Sequence, residues 1–518
     1  MSEDIETLKP QTSSEVTAIA RGAGIVLLGT AAGSGLKYAF EFVIARRLGP
    51  GLFGVFFLGL SVFRILERLC ALELTSGMLR FVSLYKGEGD LERIKGTVLS
   101  GLRVALVTAA GAAALMLGFS DVLSRAVFQA GALSSVLRIM SLGLVFAVAT
   151  EVLVYSLQAL GRVEYRVSVR LVFEPALGLL LAVVFLRSGW GLTGAALAFV
   201  GPIILGAFLS LRFARTAFPA LTQKDVPAVS DTRQLLRFSV PLLLAGLLSV
   251  FLFQINPLML GYFRPAAEVG VFAAALRTSF ILPLVLDAFN AIFAPMIADL
   301  TNRRDIDKLE DLFKVVTKWI LTASVPAFLL LAFYGGSILA VWGAGYRQGL
   351  VCLVVICAGQ FVNCATGPVG YMISMSGRTR ISLANAGGAL ALNFVLNLIL
   401  IPRHGMLGSA VALSASMAVV NLVRLVEVRW LLKMHPYRWG SLKPLAAGIL
   451  AFAGGALVKS ILPHTDESIW LILTTVLVFS AAYAGLLIVL GIGREEKLVF
   501  ARVKQKFFGP PAQRPDRS

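Results

Sequence analysis

Apolar stretches long enough to cross a bilayer recur along nearly the whole chain. They fall at roughly 20–45, 51–79, 96–118, 138–160, 168–187, 192–214, 236–260, 268–298, 313–334, 348–375, 380–401, 405–432, 442–462 and 468–492. A helix needs about twenty apolar residues to span the hydrocarbon core, and in lipid it satisfies its own backbone groups. Nothing in the chain alternates like the ten-residue strands of a membrane barrel. The pattern predicts an all-α polytopic membrane protein with about fourteen transmembrane helices.

Composition agrees. Residues of the set AVILMFWYC make up 57% of 518, and only 15% are charged, where a soluble domain carries roughly a quarter. The net charge of +18 suggests nucleic acid at first sight, but its distribution describes topology. With the N-terminus inside, nine lysines and arginines flank the outer side: Arg46, Arg47, Arg125, Arg138, Arg187, Arg264, Arg347, Arg403 and Lys459. Five lie within spans (Lys37, Arg64, Arg68, Arg277, Arg424), and the remaining 33 of 47 flank the cytoplasmic side. That bias, with an even span count, predicts both termini in the cytoplasm and no nucleic-acid partner. The acidic N-terminus lacks a signal peptide. Cys70, Cys352, Cys357 and Cys364 lie in apolar runs without metal spacing, and the three histidines are scattered, so no metal, cofactor or catalytic group is expected. Asp121–Val136 is expected along the outer interface. The tail after Arg494 reads either as a basic amphipathic surface helix or as a solvated tail that fixes orientation.

Comparing the chain with itself reveals an offset of about 215 residues. Pro50, Gly54, Val55 and Phe56 return as Pro265, Gly270, Val271 and Phe272, and the loop from Asp90 to Ile94 as Asp305 to Leu309. Tyr155, Gly161 and Arg162 return as Tyr371, Gly377 and Arg378, and Gly191, Gly194, Ala196 and Ala198 as Gly405, Gly408, Ala410 and Ala412. A six-span unit repeated in one orientation predicts two parallel lobes around a central cavity that opens alternately to either side. The expected organisation is a cytoplasmic segment 1–19, lobes at 20–233 and 234–434, two extra helices at 435–493, and a basic tail at 494–518.

The segments IARRLGPGLFGVFFLGLS (44–61) and RFVSLYKGEGDLERIKG (80–96) resemble the polysaccharide transport proteins. These are oligosaccharide-lipid flippases of the multidrug/oligosaccharidyl-lipid/polysaccharide exporter superfamily. Their plan of two six-helix lobes plus two further helices covers nearly the whole chain. Major-facilitator transporters share a parallel repeat, but the basic glycine-containing loop they carry after span two has no counterpart here. The resemblance implies a non-enzymatic protein of the inner or plasma membrane. It would flip a polyprenyl-pyrophosphate-linked oligosaccharide outward for lipopolysaccharide or exopolysaccharide assembly. Membrane lipids are the implied surroundings, and a polysaccharide polymerase or glycosyltransferases are candidate partners. The alternative within the superfamily is a drug or metabolite exporter. A membrane-embedded enzyme would need a large outer loop, and none is expected.

Charges at mid-span are costly unless they face a cavity or a partner. Lys37 and Glu41 lie one turn apart on span one with Ser34. Ser61, Arg64, Glu67 and Arg68 form one stripe on span two, and Arg64 lies about 20 Å along it, near the midplane. Flipping relatives place cations on spans one, two and eight, which Lys37, Arg64 and Arg277 match; Arg68 joins them as a pyrophosphate candidate. The alternative is an internal network in which Glu67 separates Arg64 from Arg68. Arg277 aligns with Ser61 in the repeat, so the basic site is not duplicated. Ser61, Gln254, Asn256, Asn290, Gln360 and Asn363 are candidates for sugar hydroxyls or for interhelical contacts. Glu41, Glu67 and Asp287 are candidate coupling carboxylates, while Glu427 has Arg424 as an expected partner.

Overall fold

The computed structural model describes residues 10–461 and 469–490, and among them the regular elements are helices. In chain order these are α1 (Pro10–Cys70), α2 (Leu74–Glu88), α3 (Leu91–Gly118), α4 (Leu133–Ala159), α5 (Val163–Arg187), α6 (Gly191–Ala217), α7 (Thr232–Phe263) and α8 (Ala266–Ser279). They continue as α9 (Ile281–Asn302), α10 (Ile306–Trp342), α11 (Leu350–Ala365), α12 (Val369–Met375), α13 (Thr379–Glu427), α14 (Leu442–Ile461) and α15 (Ile469–Val489). Eight of the described segments are long and apolar enough to cross a membrane, or nine if bent α7 is one span. This is a multi-pass membrane protein. The first nine residues and the expected surface helix after Arg494 lie outside the described residues.

Several boundaries differ from expectation, each for a local reason. Expected spans one and two run together as α1, which bends at Gly49 (φ 73°), a conformation cheap only for glycine. Pro50 follows it without an N–H. The second span, expected to reach residue 79, stops at Cys70, and Leu72 and Glu73 take left-handed φ values of 46° and 54° before α2 begins. Arg68 holds Glu73 at 2.5 Å across this elbow, and the Thr108 hydroxyl donates to the Cys70 carbonyl that the break leaves open. Expected span eight is divided at Phe280 into α8 and α9. Pro283 lacks the N–H that would bond Ser279. Expected span ten is divided by Gly367 (φ 71°) and Pro368 into α11 and α12. Spans eleven and twelve are continuous in α13, bent at Gly405 (φ 55°).

The same backbone turns recur at positions paired in the self-comparison. Gly161 and Gly377 have φ of 85° and 84°, Gly191 and Gly405 have 52° and 55°, and the loop positions Gly89 and Arg304 have 73° and 58°.

Two compact units divide the chain: Met1–Arg277 with Leu339–Gly349 and Leu390–Ala412, and Thr278–Ile338 with Leu350–Ala389 and Leu413–Ser518. In the second, a core of Phe293, Ile297, Phe313, Ile320, Met372 and Ile373 joins α9, α10 and α12. There α14 and α15 pack on α10 through Val325, Ala447 and Tyr483, whose hydroxyl donates to Thr322 O.

In the first unit, α4 is the central element, packed against α1, α3 and α6 with Leu133, Leu137, Met140, Leu144 and Val148 buried. Between α3 and α4, Asp121 pairs with Arg138 at 2.6 Å. At the end where α1 bends, four segments meet. Trp342 packs edge-on to Tyr38 and Phe42, the Tyr346 hydroxyl donates to Ala45 O at 2.8 Å, and Arg46 donates to Val341 O at 3.1 Å. Arg264 caps the carbonyls of Ile401 and Pro402, while Glu268 accepts from Met406 N–H just past the Gly405 bend. Each charge sits where the helix dipole favours it. Gly54 and Gly270 seal this end reciprocally. A Cβ on Gly54 would overlap the Ala266 carbonyl, and one on Gly270 the Pro50 carbonyl.

Backbone contact this close leaves no room for a side chain. Gly54→Leu and Gly270→Leu are each expected to cost about 1–3 kcal/mol or more through overpacking, lowering the thermal unfolding midpoint of the purified protein. Gly51→Ala, where a Cβ meets open space, serves as the control, and an unchanged midpoint for both leucine variants would contradict the contact.

Candidate functional site

Within the first unit α1, α4, α5 and α6 wall a cavity of about 330 Å³. One wall is aromatic: Phe40, Phe63 and Phe199 line it, with Phe63 and Phe199 in edge contact at 5.1 Å. The rest is charged, in two clusters of opposite sign.

The first cluster is built on Glu41, whose side chain is 6% exposed. Arg277 from α8 places its guanidinium fork on this carboxylate, with Nε to Oε2 and Nη2 to Oε1, the latter at 2.8 Å. Arg64, from the second arm of α1, reaches Oε1 at 3.3 Å. The Arg277 guanidinium also lies 5.4 Å from the Phe57 ring centroid, a cation–π distance. Lys37, one turn before Glu41, is exposed on the cavity wall, and among the described residues it makes neither a hydrogen bond nor an ion pair. With all groups ionised, two guanidiniums share one carboxylate, a surplus of one positive charge at Glu41, while the charged neighbours of Lys37 are Glu67, Glu174, Arg64 and Arg170. Helical rise places Glu41, Lys37, Arg277 and Arg64 about 12–21 Å from the bent end, near the middle of a span.

The second cluster is built on Arg170, 14% exposed. Its Nη2 meets Glu67 at 3.0 Å and Glu151 at 2.8 Å, its Nη1 meets Glu174 at 3.0 Å, and Nη2 also donates to Ala147 O. Gly206 makes room for Glu174, because a Cβ there would stand 2.7 Å from its Oε1. Beside this group, Arg166 lies over the Tyr155 ring at 4.7 Å and donates to Gln158. Three carboxylates on one guanidinium leave this cluster negative.

Sequence expectation and geometry diverge at identifiable residues. Lys37, Glu41, Arg64 and Glu67 do line one cavity, and Arg277 joins it through Glu41. Arg68 turns away to Glu73. Glu67, expected between Arg64 and Arg68, instead pairs with Arg170. Ser61 is buried and bonds Phe57 O one turn back, and Asn256 belongs to a buried amide cluster with Asn393 and Asn397. Gln254 is buried in the first unit. Asp287, Asn290, Gln360 and Asn363 belong to the second unit. There Asp287 is exposed, Asn290 and Gln360 are buried, and Asn363 is half-buried. Glu427 accepts from Asn385 at 2.6 Å and forms no ion pair with Arg424 among the described residues. Sequence reading missed Arg166 and Arg170. Their four-residue spacing with Glu174 marks one helical face, but Arg170 stood so near the expected start of span five that it counted as a cytoplasmic flank.

Solved structures share this fold. An inward closed lipid II flippase MurJ superposes with a TM-score of 0.70 at 14% identity, covering 92% of this chain and 98% of that one. An inward-facing multidrug resistance MATE transporter gives 0.65 at 17% identity, covering 77% and 94%. In sequence, a probable flippase AglR of Haloferax volcanii is 27% identical over 33% of this chain and 36% of its own length. The same organism's probable low-salt glycan biosynthesis flippase Agl15 is 21% identical over 45% of this chain and 49% of its own length. The chain thus matches about half or less of these two relatives. The family model described as polysaccharide biosynthesis protein matches residues 19–301, more than half of the sequence, and the chain belongs to that family.

Proposed function

We propose that this protein flips a polyprenyl-diphosphate-linked oligosaccharide from the cytoplasmic to the outer leaflet by alternating access. The observation that carries the reading is the cluster around Glu41. Arg64, on the cavity wall with Lys37, and Arg277, from a second helix, share the carboxylate of Glu41. A diphosphate esterified at both ends carries one negative charge on each phosphorus, one for each of the two guanidiniums. Arginine forks suit its oxygens, and near mid-span they replace the water the head group must leave. The names of the Haloferax volcanii relatives and the lipid II flippase fold support the same cargo class.

In this reading the chain, with two six-span lobes near 20–233 and 234–434 and about fourteen spans, is a non-enzymatic carrier whose head-group site is the cavity of the first lobe. Both termini face the cytoplasm of an inner or plasma membrane. Glycosyltransferases supply the cargo and a polymerase consumes it. Export of a cationic drug or metabolite is the second reading. It is favoured by the negative cluster at Arg170 and by the MATE fold.

Reconstitution in liposomes with a fluorescent polyprenyl-diphosphate glycan tests the first reading. Arg277→Gln and Arg64→Gln should each slow leaflet exchange at least tenfold while inserting normally. Exchange at the wild-type rate in both would defeat it, and drug efflux with no glycan exchange would favour the second. Arg170 acts differently, as the counter-charge of three carboxylates. Arg170→Met should cost about 3–5 kcal/mol, as breaking a buried ion pair does, and should lower the thermal midpoint of the purified protein. A midpoint within a degree of wild type would contradict this.

A further inference from the structure

Glu41 occupies the place where an anion would bind. Its two oxygens take the Arg277 fork and the Arg64 guanidinium, so a diphosphate cannot engage either arginine fully while the carboxylate stays. From this geometry we propose that Glu41 is a resident competitor of the cargo head group. The diphosphate displaces it from Arg64 and Arg277, and the freed carboxylate moves to Lys37. This rests on the diphosphate reading above and adds a regulatory step to the same site.

Three observations support the exchange. Lys37 lies four residues before Glu41 on the same helix, which is side-chain reach; among the described residues it makes no ion pair or hydrogen bond, and its nearest carboxylate influences are Glu174 and Glu67. Charge is conserved at each stage: Glu41 always retains a cation, and the two diphosphate charges take the place of one carboxylate across two guanidiniums. The third is topological. Glu41 fastens the first arm of α1 to its second arm through Arg64 and to α8 through Arg277. Displacement therefore removes these two ties of the first arm of α1 when cargo binds. A buried carboxylate left without a cation is strongly disfavoured, so Lys37 sets how readily Glu41 gives way.

The test is equilibrium binding to the full-length protein in lipid nanodiscs, using synthetic farnesyl-diphospho-N-acetylglucosamine, with inorganic diphosphate in a parallel arm. Glu41→Gln keeps the size of the side chain and one acceptor oxygen but removes the competing charge. It should bind both probes at least tenfold more tightly than wild type, and probe should raise its unfolding midpoint more than it raises that of wild type. Glu41→Asp draws the carboxylate back by one methylene and should fall between the two. It keeps the charge if the glutamine variant fails to fold. Should wild type bind and Arg277→Gln lose binding, while neither Glu41 variant binds more tightly, the competitor role is overturned and the diphosphate reading stands. If no variant binds either probe, both are overturned.

Discussion

A charge in hydrocarbon must carry its counter-charge with it, and in this chain that requirement is met chiefly at Glu41. Guanidinium groups from two helices converge on one carboxylate that is almost wholly enclosed. Either arginine alone would cost several kcal/mol at that depth. Together with Glu41 they become a tie between segments far apart in sequence, from residue 41 to residue 277. Two guanidiniums on one carboxylate leave the tie with one positive charge to spare, and Lys37 stands between this cluster and the carboxylates around Arg170. On the proposed reading, that excess is what an anionic head group would engage.

The Arg170 cluster has the opposite imbalance and a different role. Its two terminal nitrogens are engaged by three carboxylates and a backbone carbonyl. It joins the second arm of α1 to α4 and α5 and stiffens the cavity wall. A negative group beside a positive one also orients an amphiphile. On the proposed reading, phosphates are drawn to Arg64 and Arg277 and kept from the carboxylates, and the aromatic wall of Phe40, Phe63 and Phe199 suits the apolar faces of sugar rings.

The helical class and most of the cavity's cations were legible in the sequence, because both follow from one-dimensional rules. Long apolar runs must be helical in lipid, and a lysine or arginine inside one demands a partner or a void. What the sequence concealed was pairing. Glu67 is nearer to Arg64 and Arg68 in the chain than any other carboxylate, yet Arg64 takes Glu41, Arg68 takes Glu73 across a helix break, and Glu67 takes Arg170 from another helix. Adjacency on one helix lost to convergence between helices, which no spacing rule encodes. Breaks were half legible. Pro283 and Pro368 announce theirs, whereas the elbow at Leu72 and Glu73 has neither glycine nor proline and depends on the Arg68–Glu73 pair and the Thr108 hydroxyl. Ser61 shows the converse error. A hydroxyl on a promising stripe was satisfied within its own turn.

On the proposed reading, a duplicated frame carries a single charged site. Gly54 and Gly270, paired in the self-comparison, touch each other reciprocally. The charges are not paired in that way. Arg277 corresponds to Ser61, and Arg64 stands one turn beyond Ser61, so the two arginines are not repeat mates even though they share Glu41. On the proposed reading, a second copy of the cluster would place further cations inside the membrane, where each is costly without a counter-charge, and the single diphosphate of the cargo could engage only one copy. An asymmetric charge set is therefore the less costly arrangement for such a carrier.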